Sequence, residues 1–199
     1  MQEICLPPTK ADLFIARNAA RYTNPQVQKC ARAITWAADG KVLFAASAAL
    51  WVLSRQGNAK QQILADHLLA TVVVANAIPH AIKNAVDQER PDRCMVGTDR
   101  HGVRESGKPL DAFPSGHGVH IGAVASALSW MDPKKACLVW ALAAGVATTR
   151  VAVLAHWASD VVAGLSMGVV IEGVLRRSAR WRIQALNESR GHQLRVGND

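Results

Sequence analysis

The chain alternates long apolar runs with short polar breaks, and the breaks fall where helices would end. Residues 42–54 (VLFAASAALWVLS) carry no charge and stop at Arg55. A polar turn over 56–62 follows. Residues 63–82 are then apolar apart from Asp66, His67, Asn76 and His80, with Pro79 expected to kink the helix. Gly116–Met131, 136–150 and 156–175 complete the apolar helices, and Asp132-Pro133-Lys134-Lys135 closes the first of them. Before all of these, Lys10–Tyr22 (KADLFIARNAARY) reads as a short amphipathic helix that packs on the domain or lies on a membrane surface. Residues 83–114 differ in kind. They hold six Lys or Arg, three glycines and Pro91, Pro109 and Pro114, without apolar periodicity. Lying between apolar helices, they read as a functional loop rather than a linker.

A spanning helix wants about 20 apolar residues, and only 112–131 reaches that without a charge. The boundary residues say more. Trp51, Trp130, Trp140 and Trp181 fall at helix ends that meet one face, as do Arg55, Lys60, Lys134, Lys135, Arg176, Arg177, Arg180 and Arg182. That is the pattern of an aromatic belt with cytoplasmic positive charge. It favours an all-α, membrane-embedded helical bundle over a soluble bundle with an Ala-rich core. About five spanning helices and the N-terminal amphipathic helix are expected. The chain, 1–199, then forms one domain, with an N-terminal segment 1–38, the loop 83–114 and a basic tail 176–199. The same alternation gathers the loop, the start of the 116–131 helix, Arg150 and His156 at the opposite end. With the positive face cytoplasmic, this end looks outward from the inner membrane, towards the periplasm. Lys10, Arg17, Arg21, Lys29 and Arg32 argue the other way.

Composition adds exclusions. Half the residues are hydrophobic and 19% are charged, and six of the ten aromatic residues are Trp. A net charge of +8 suits nucleic acid, an anionic membrane surface or an anionic substrate. No zinc-finger spacing, RNA-binding aromatic signature or long basic run supports a nucleic-acid partner. Cys5, Cys30, Cys94 and Cys137 are scattered, which argues against a disulfide framework or structural zinc. The first thirty residues lack a signal-peptide pattern.

Three clusters carry chemistry. In TRVAVLAHWASD (149–160), Arg150 offers a fork of donors to an oxyanion, and His156 and Asp160 stand one helical turn apart. A carboxylate there is placed to fix the tautomer of the imidazole. Lys83 and Arg90 are two turns apart if one helix holds both, and Pro91 would end it. Pro114-Ser115-Gly116-His117 opens a helix whose free amides and dipole attract anions. Each alone also reads as a solvated helix end or an ordinary helix start. The ordered combination is far more specific.

Lys-x6-Arg-Pro, then Pro-Ser-Gly-His, then Arg-x5-His-x3-Asp resembles the type 2 phosphatidic-acid phosphatase superfamily over about 76–164. Thr149 departs from the serine usual there. The resemblance implies His156 as nucleophile forming a phosphohistidine, Asp160 orienting it, and His117 as general acid. It implies that Lys83, Arg90, Arg150, Ser115 and the Gly116 amide hold the phosphoryl oxygens, with no cofactor. Three fixed cations neutralise a transferring phosphoryl group and repel a metal, which opposes zinc on His117, His120, His156 and Asp160. His67, His80, His101 and His192 read as structural or solvated, and Asp66 and Asn76 as contacts between helices. Arg93, Arg100, Arg104 and Lys108 line the entrance or are solvated. A site at the membrane boundary meets lipid head groups, so the expected partners are membrane lipids and a lipid phosphate or diphosphate substrate. Polyprenyl diphosphate comes first by family analogy. A lipid phosphotransferase, a haloperoxidase and a non-catalytic lipid-binding protein are the alternatives. Two imidazoles, one neutral and one protonated, imply a bell-shaped pH profile.

Overall fold

Asp39, Asn58 and Ser115 each stand just ahead of an apolar run, and each starts a helix. Their side chains accept from the amides of Lys41, Gln61 and Gly118, satisfying donors that a helix N-terminus leaves free. At Asn58 the Gln61 side chain also reaches back to the cap amide, completing a capping box. The computed structural model describes residues 4–22, 24–36, 38–95, 108 and 110–196. Among them run α1 (Lys10–Tyr22), α2 (Pro25–Trp36), α3 (Gly40–Ser54), α4 (Ala59–Lys83), α5 (Pro91–Met95), α6 (Gly116–Met131), α7 (Ala136–Ala152) and α8 (Ala158–Val196). A short parallel pair, β1 (Ile4–Cys5) with β2 (Val86–Asp87), ties the N-terminal segment to the chain leaving α4.

The fold is a membrane-embedded helical bundle. Among the described residues, four stretches are long and apolar enough to cross a bilayer: Pro25–Ser54, Ala59–Lys83, Pro133–Ala152 and Ala158–Ser189. Their outward faces expose Phe44, Leu50, Leu53, Leu138, Leu142, Val162, Val170 and Val174, an apolar surface suited to lipid. The charge-free run 112–131 holds a helix with the expected bounds, Gly116–Met131, which is shorter than the run itself. The Ser115 cap follows Pro114, so α6 starts at Gly116 and its 16 residues extend about 24 Å. It lies among α3, α4, α7 and α8. The last helix, expected to end at 175, continues through the basic tail to Val196. Between 176 and 190 no glycine or proline interrupts a run of good helix formers.

α6 and α8 meet at backbone distance. A Cβ on Gly122 would stand 2.2 Å from the Leu165 carbonyl oxygen, and one on Gly168 would stand 2.2 Å from that of Val119. Gly118-x3-Gly122 and Gly164-x3-Gly168 thus form facing small-residue stripes of the kind that pack membrane helices.

Polar ties lock the end of the bundle remote from His156. Glu172, fully buried, lies 2.9 Å from His67 Nε2, accepts from Ser126 Oγ at 2.7 Å and is gripped by Arg176. Asp66 accepts from Trp51 Nε1 at 2.9 Å, Arg55 Nη2 at 2.8 Å and Arg182 Nη2 at 2.9 Å, joining α3, α4 and α8. Asp66 is therefore a contact between helices, as read from sequence.

Gly168→Val should overpack the α6–α8 contact at a cost of about 1–3 kcal/mol, lowering the thermal midpoint in detergent. Gly173→Ala, where no neighbouring atom lies within 4 Å, should leave it unchanged. Equal midpoints for the two variants would contradict this packing.

Candidate active site

Alternating helices bring α4's last residue, α6's first turn and the α7–α8 connection to one end. Lys83 closes α4 and Asn84 caps it, so Lys83 and Arg90 do not share a helix as their spacing suggested. The chain instead extends through β2 and pairs Gln88 with the 110–112 strand-like segment: Gln88 N donates to Leu110 O at 2.9 Å, and Ala112 N to Gln88 O at 3.1 Å. Asp111 then joins the two cations. Its Oδ1 accepts from Arg90 Nη2 at 2.7 Å and its Oδ2 lies 3.6 Å from Lys83 Nζ. Arg90, buried, also donates from Nη1 to Ala155 O at 3.0 Å and from Nε to Lys108 O at 3.2 Å. It clamps the segments on either side of His156's imidazole.

After α7, Leu154 adopts a left-handed backbone (φ 55°), and the amides of Ala155 and His156 fold back onto Arg150 O at 3.1 and 3.4 Å. His156 therefore sits ahead of α8 rather than on it. Its Nδ1 lies 2.7 Å from Ala112 O. A carbonyl only accepts, so Nδ1 carries the proton, and in the neutral ring Nε2 keeps its lone pair. Burial, and then the charges of Arg90, Arg150 and Lys83, hold the His156 pKa well below the usual imidazole value. The ring is neutral at physiological pH.

The hydrogen bond that this imidazole was expected to donate to Asp160 goes to the Ala112 carbonyl instead. Asp160 is the third residue of α8, and its Oδ2 accepts from the Trp157 amide at 2.9 Å, because a helix start needs such an acceptor. The Asp160 carbonyl accepts from Ser115 N at 3.2 Å, stitching the α8 start to the α6 start.

A cavity of 470 Å³ opens here. Lys83, Arg90, Gly116, His117, Arg150 and His156 all line it. Of the site residues read from sequence, Ser115 and Asp160 lie behind the wall as helix caps. Arg150 Nε is buried with no hydrogen-bond partner among the described residues, leaving a donor for whatever enters. The Thr149 hydroxyl turns away: it donates to Val146 O at 2.6 Å and pairs with Thr35 at 2.7 Å. The opposite wall contains Asp39, Lys41, Asn76, His80 and His120. His80, read as structural or solvated, thus lines the cavity, as does Asn76, which is also the contact between helices read from sequence: its Nδ2 donates to Gly40 O of α3 at 3.5 Å. His120, one turn from His117, was the legible member of this group; its ring centroid stands 6.4 Å from that of His117. Arg100, His101 and Arg104 lie outside the described residues, as does the side chain of His192.

α1 supports this site from outside. Asp12, buried, accepts from the Ser159 amide at 2.9 Å and the Ser159 hydroxyl at 2.8 Å. Ala16 packs with Ala112, Leu154 and Trp157, and the Trp157 indole donates to Glu89 O at 2.8 Å. Packing on the domain is thus what this amphipathic helix does.

Fixed cations, two imidazoles and a helix N-terminus at the end of a spanning bundle define a membrane protein with a pocket suited to a tetrahedral oxyanion. The model of the PAP2 superfamily matches residues 65–184, and the chain belongs to that superfamily. It is 31% identical over 138 residues to a lipid A 1-phosphatase of Rhizobium johnstonii, covering 64% of this chain and 54% of that protein. A lipid A 1-phosphatase of Rhizobium etli matches at 31% over 138 residues, 64% of this chain and 57% of its own length. The chain thus spans little more than half the length of these relatives. Among solved structures, Aquifex aeolicus LpxE superposes with a TM-score of 0.62 at 17% identity, over 83% of this chain and 94% of that one. A PAP2-type phosphatidylglycerolphosphate phosphatase from Bacillus subtilis gives 0.68 at 17% identity, over 85% of each. These two share the fold.

Asp12→Ala strips the Ser159 amide and hydroxyl of their acceptor and should cost about 1–3 kcal/mol of stability. The chemical denaturation midpoint in detergent reads it. An unchanged midpoint would mean that α1 does not support the segment that leads into α8.

Proposed function

We propose that this protein is a membrane phosphatase that hydrolyses a lipid phosphate or diphosphate through a phosphohistidine on His156, with Lys83, Arg90 and Arg150 in place of a metal. The observation that carries the reading is a neutral imidazole with Nδ1 committed to a carbonyl and a buried, unpartnered arginine nitrogen beside it. Nε2 attacks phosphorus in line as the bond to the leaving oxygen breaks. His117, which burial keeps neutral in the free enzyme and which takes up its proton with the bound phosphate dianion, donates that proton to the leaving oxygen. His117, now neutral, takes a proton from water as the water attacks the phosphohistidine, and inorganic phosphate leaves. Lys83, Arg150 and the Gly116 amide stabilise the charge on the equatorial oxygens, aided by the α6 dipole. Arg90 adds charge and, through Ala155 and Asp111, positions the nucleophile. Ser115 and Asp160 act from behind by setting the two helix starts.

The relatives' names favour lipid A 1-phosphate as substrate, with polyprenyl diphosphate the competing choice. The cluster of Arg and Lys at the remote end supports that end as cytoplasmic and the cavity as facing the periplasm across an inner membrane.

Phosphate release from a panel of purified lipid phosphates in detergent should single out one class. His156→Ala should reduce it by on the order of a thousandfold or more without shifting the thermal midpoint. For the active enzyme, protonating His156 removes the attacking lone pair. Activity should therefore be lost as pH falls well below about 6.5. The alkaline limb of the bell-shaped profile expected from sequence does not follow, because burial and then the charge of Arg150 push the His117 pKa down to about 3 in the free enzyme. Retained activity in His156→Ala would end the proposal.

A further inference from the structure

A second polar cavity, of 440 Å³, lies at the other end of the bundle, where α4, α6 and α8 meet. Lys60 and Leu64 of α4, Trp130 and Met131 of α6, and Arg180 and Ile183 of α8 line it. The neighbouring arginines have carboxylate partners: Arg55 and Arg182 hold Asp66, and Arg176 holds Glu172. Lys60 and Arg180 form no ion pair among the described residues, so the two cations facing this cavity are uncompensated. Its depth is telling. Lys60 and Lys83 stand at opposite ends of α4, about 35 Å apart along the helix, and Arg180 lies about 30 Å along α8 from Asp160. Bilayer hydrocarbon is about 30 Å thick. The cavity therefore sits at the membrane boundary opposite the catalytic one, where lipid phosphates lie.

We propose that this cavity holds the phosphate-bearing head group of an anionic phospholipid, bound as a structural lipid and not as substrate. Lys60 and Arg180 meet the phosphate, while Leu64, Met131 and Ile183 offer apolar surface to the glycerol and the upper acyl chains. Phosphate chemistry alone would also suit a soluble phosphate ester; the apolar half of the wall and its depth select the lipid. The wall is rigid before any ligand arrives. The Arg176 guanidinium lies 5.8 Å from the Trp130 ring centre and the His67 ring stands edge-on to it at 5.1 Å, and both are anchored on buried Glu172. A bound head group would clamp together three helices whose opposite ends carry Lys83, His117 and Asp160. This inference stands apart from the catalytic proposal, because it involves none of the residues of that site.

Native mass spectrometry of the full-length protein released from phosphatidylcholine nanodiscs containing phosphatidylglycerol tests it. Phosphatidylglycerol should be retained in preference to phosphatidylcholine. The paired substitution Lys60→Gln with Arg180→Gln should cut that retention by at least about tenfold. Leu64→Trp, which fills the cavity without touching its charges, should do the same should the paired variant fold poorly. Arg150→Ala should retain the lipid. The proposal is overturned if Leu64→Trp or the paired variant binds phosphatidylglycerol like the unaltered protein, or if Arg150→Ala loses it. Full displacement of the lipid by sn-glycerol 3-phosphate would also overturn it, as the mark of a soluble-anion site.

Discussion

The close approach of α6 and α8 is the constraint on which the rest depends. Lipid offers no hydrophobic drive for helices to associate, so dispersion contacts and backbone proximity must hold them, and side chains at the contact have to be small. Gly118, Gly122, Gly164 and Gly168 provide that, with carbonyl oxygens of one helix lying where Cβ atoms of the other would be. The crossing then sets the helix starts side by side, and the Ser115 amide bonds to the Asp160 carbonyl. His117, in the first turn of α6, and His156, just ahead of α8, face one cavity as a consequence. A wider crossing would separate them, whatever the motifs around each.

Concentrating cations at this end needs a counterweight, and Asp111 supplies it. Lys83, Arg90 and Arg150 surround a buried imidazole, and unpaired buried charges are costly. Asp111 pairs with two of the three, leaving Arg150 Nε as the buried unpartnered donor. The same arrangement gives His156 its character. Burial and surrounding positive charge keep the ring neutral, and the Ala112 carbonyl chooses which nitrogen holds the proton. The proposed nucleophile is thus prepared by backbone and packing rather than by a carboxylate. Asp160 contributes one step removed, by ordering the helix start behind the ring.

Much of this was legible in the chain itself. Charge-free runs and capping residues located the helices, and α1 and α6 fall on the expected bounds. Alternation of those helices places Lys83, Gly116, Arg150 and His156 at one end. What escaped reading depends on details of backbone path. Helices read over 136–150 and 156–175 put His156 and Asp160 in one helical turn, but α7 runs on to Ala152, the left-handed Leu154 turns the chain, and α8 starts only at Ala158, so His156 falls outside that turn. Asp111 has no motif of its own; its partners lie 21 and 28 positions away in sequence, brought near by the pairing of Gln88 with 110–112. Asp12 likewise reaches Ser159 only because α1 folds back over the site. The glycine stripes GVHIG and GLSMG were readable as small-residue spacing, but only their face-to-face meeting gives them meaning.

The most direct test of the account is to locate the phosphoryl group on the enzyme during turnover. Enzyme mixed with substrate, quenched under alkaline conditions and digested, can be mapped by mass spectrometry that distinguishes the two isomers of phosphohistidine. Because Nδ1 of His156 is held by the Ala112 carbonyl, the label should appear on Nε2 of His156. Phosphate on Nδ1 of that ring, or on His117 in its place, would contradict the geometry described for the site.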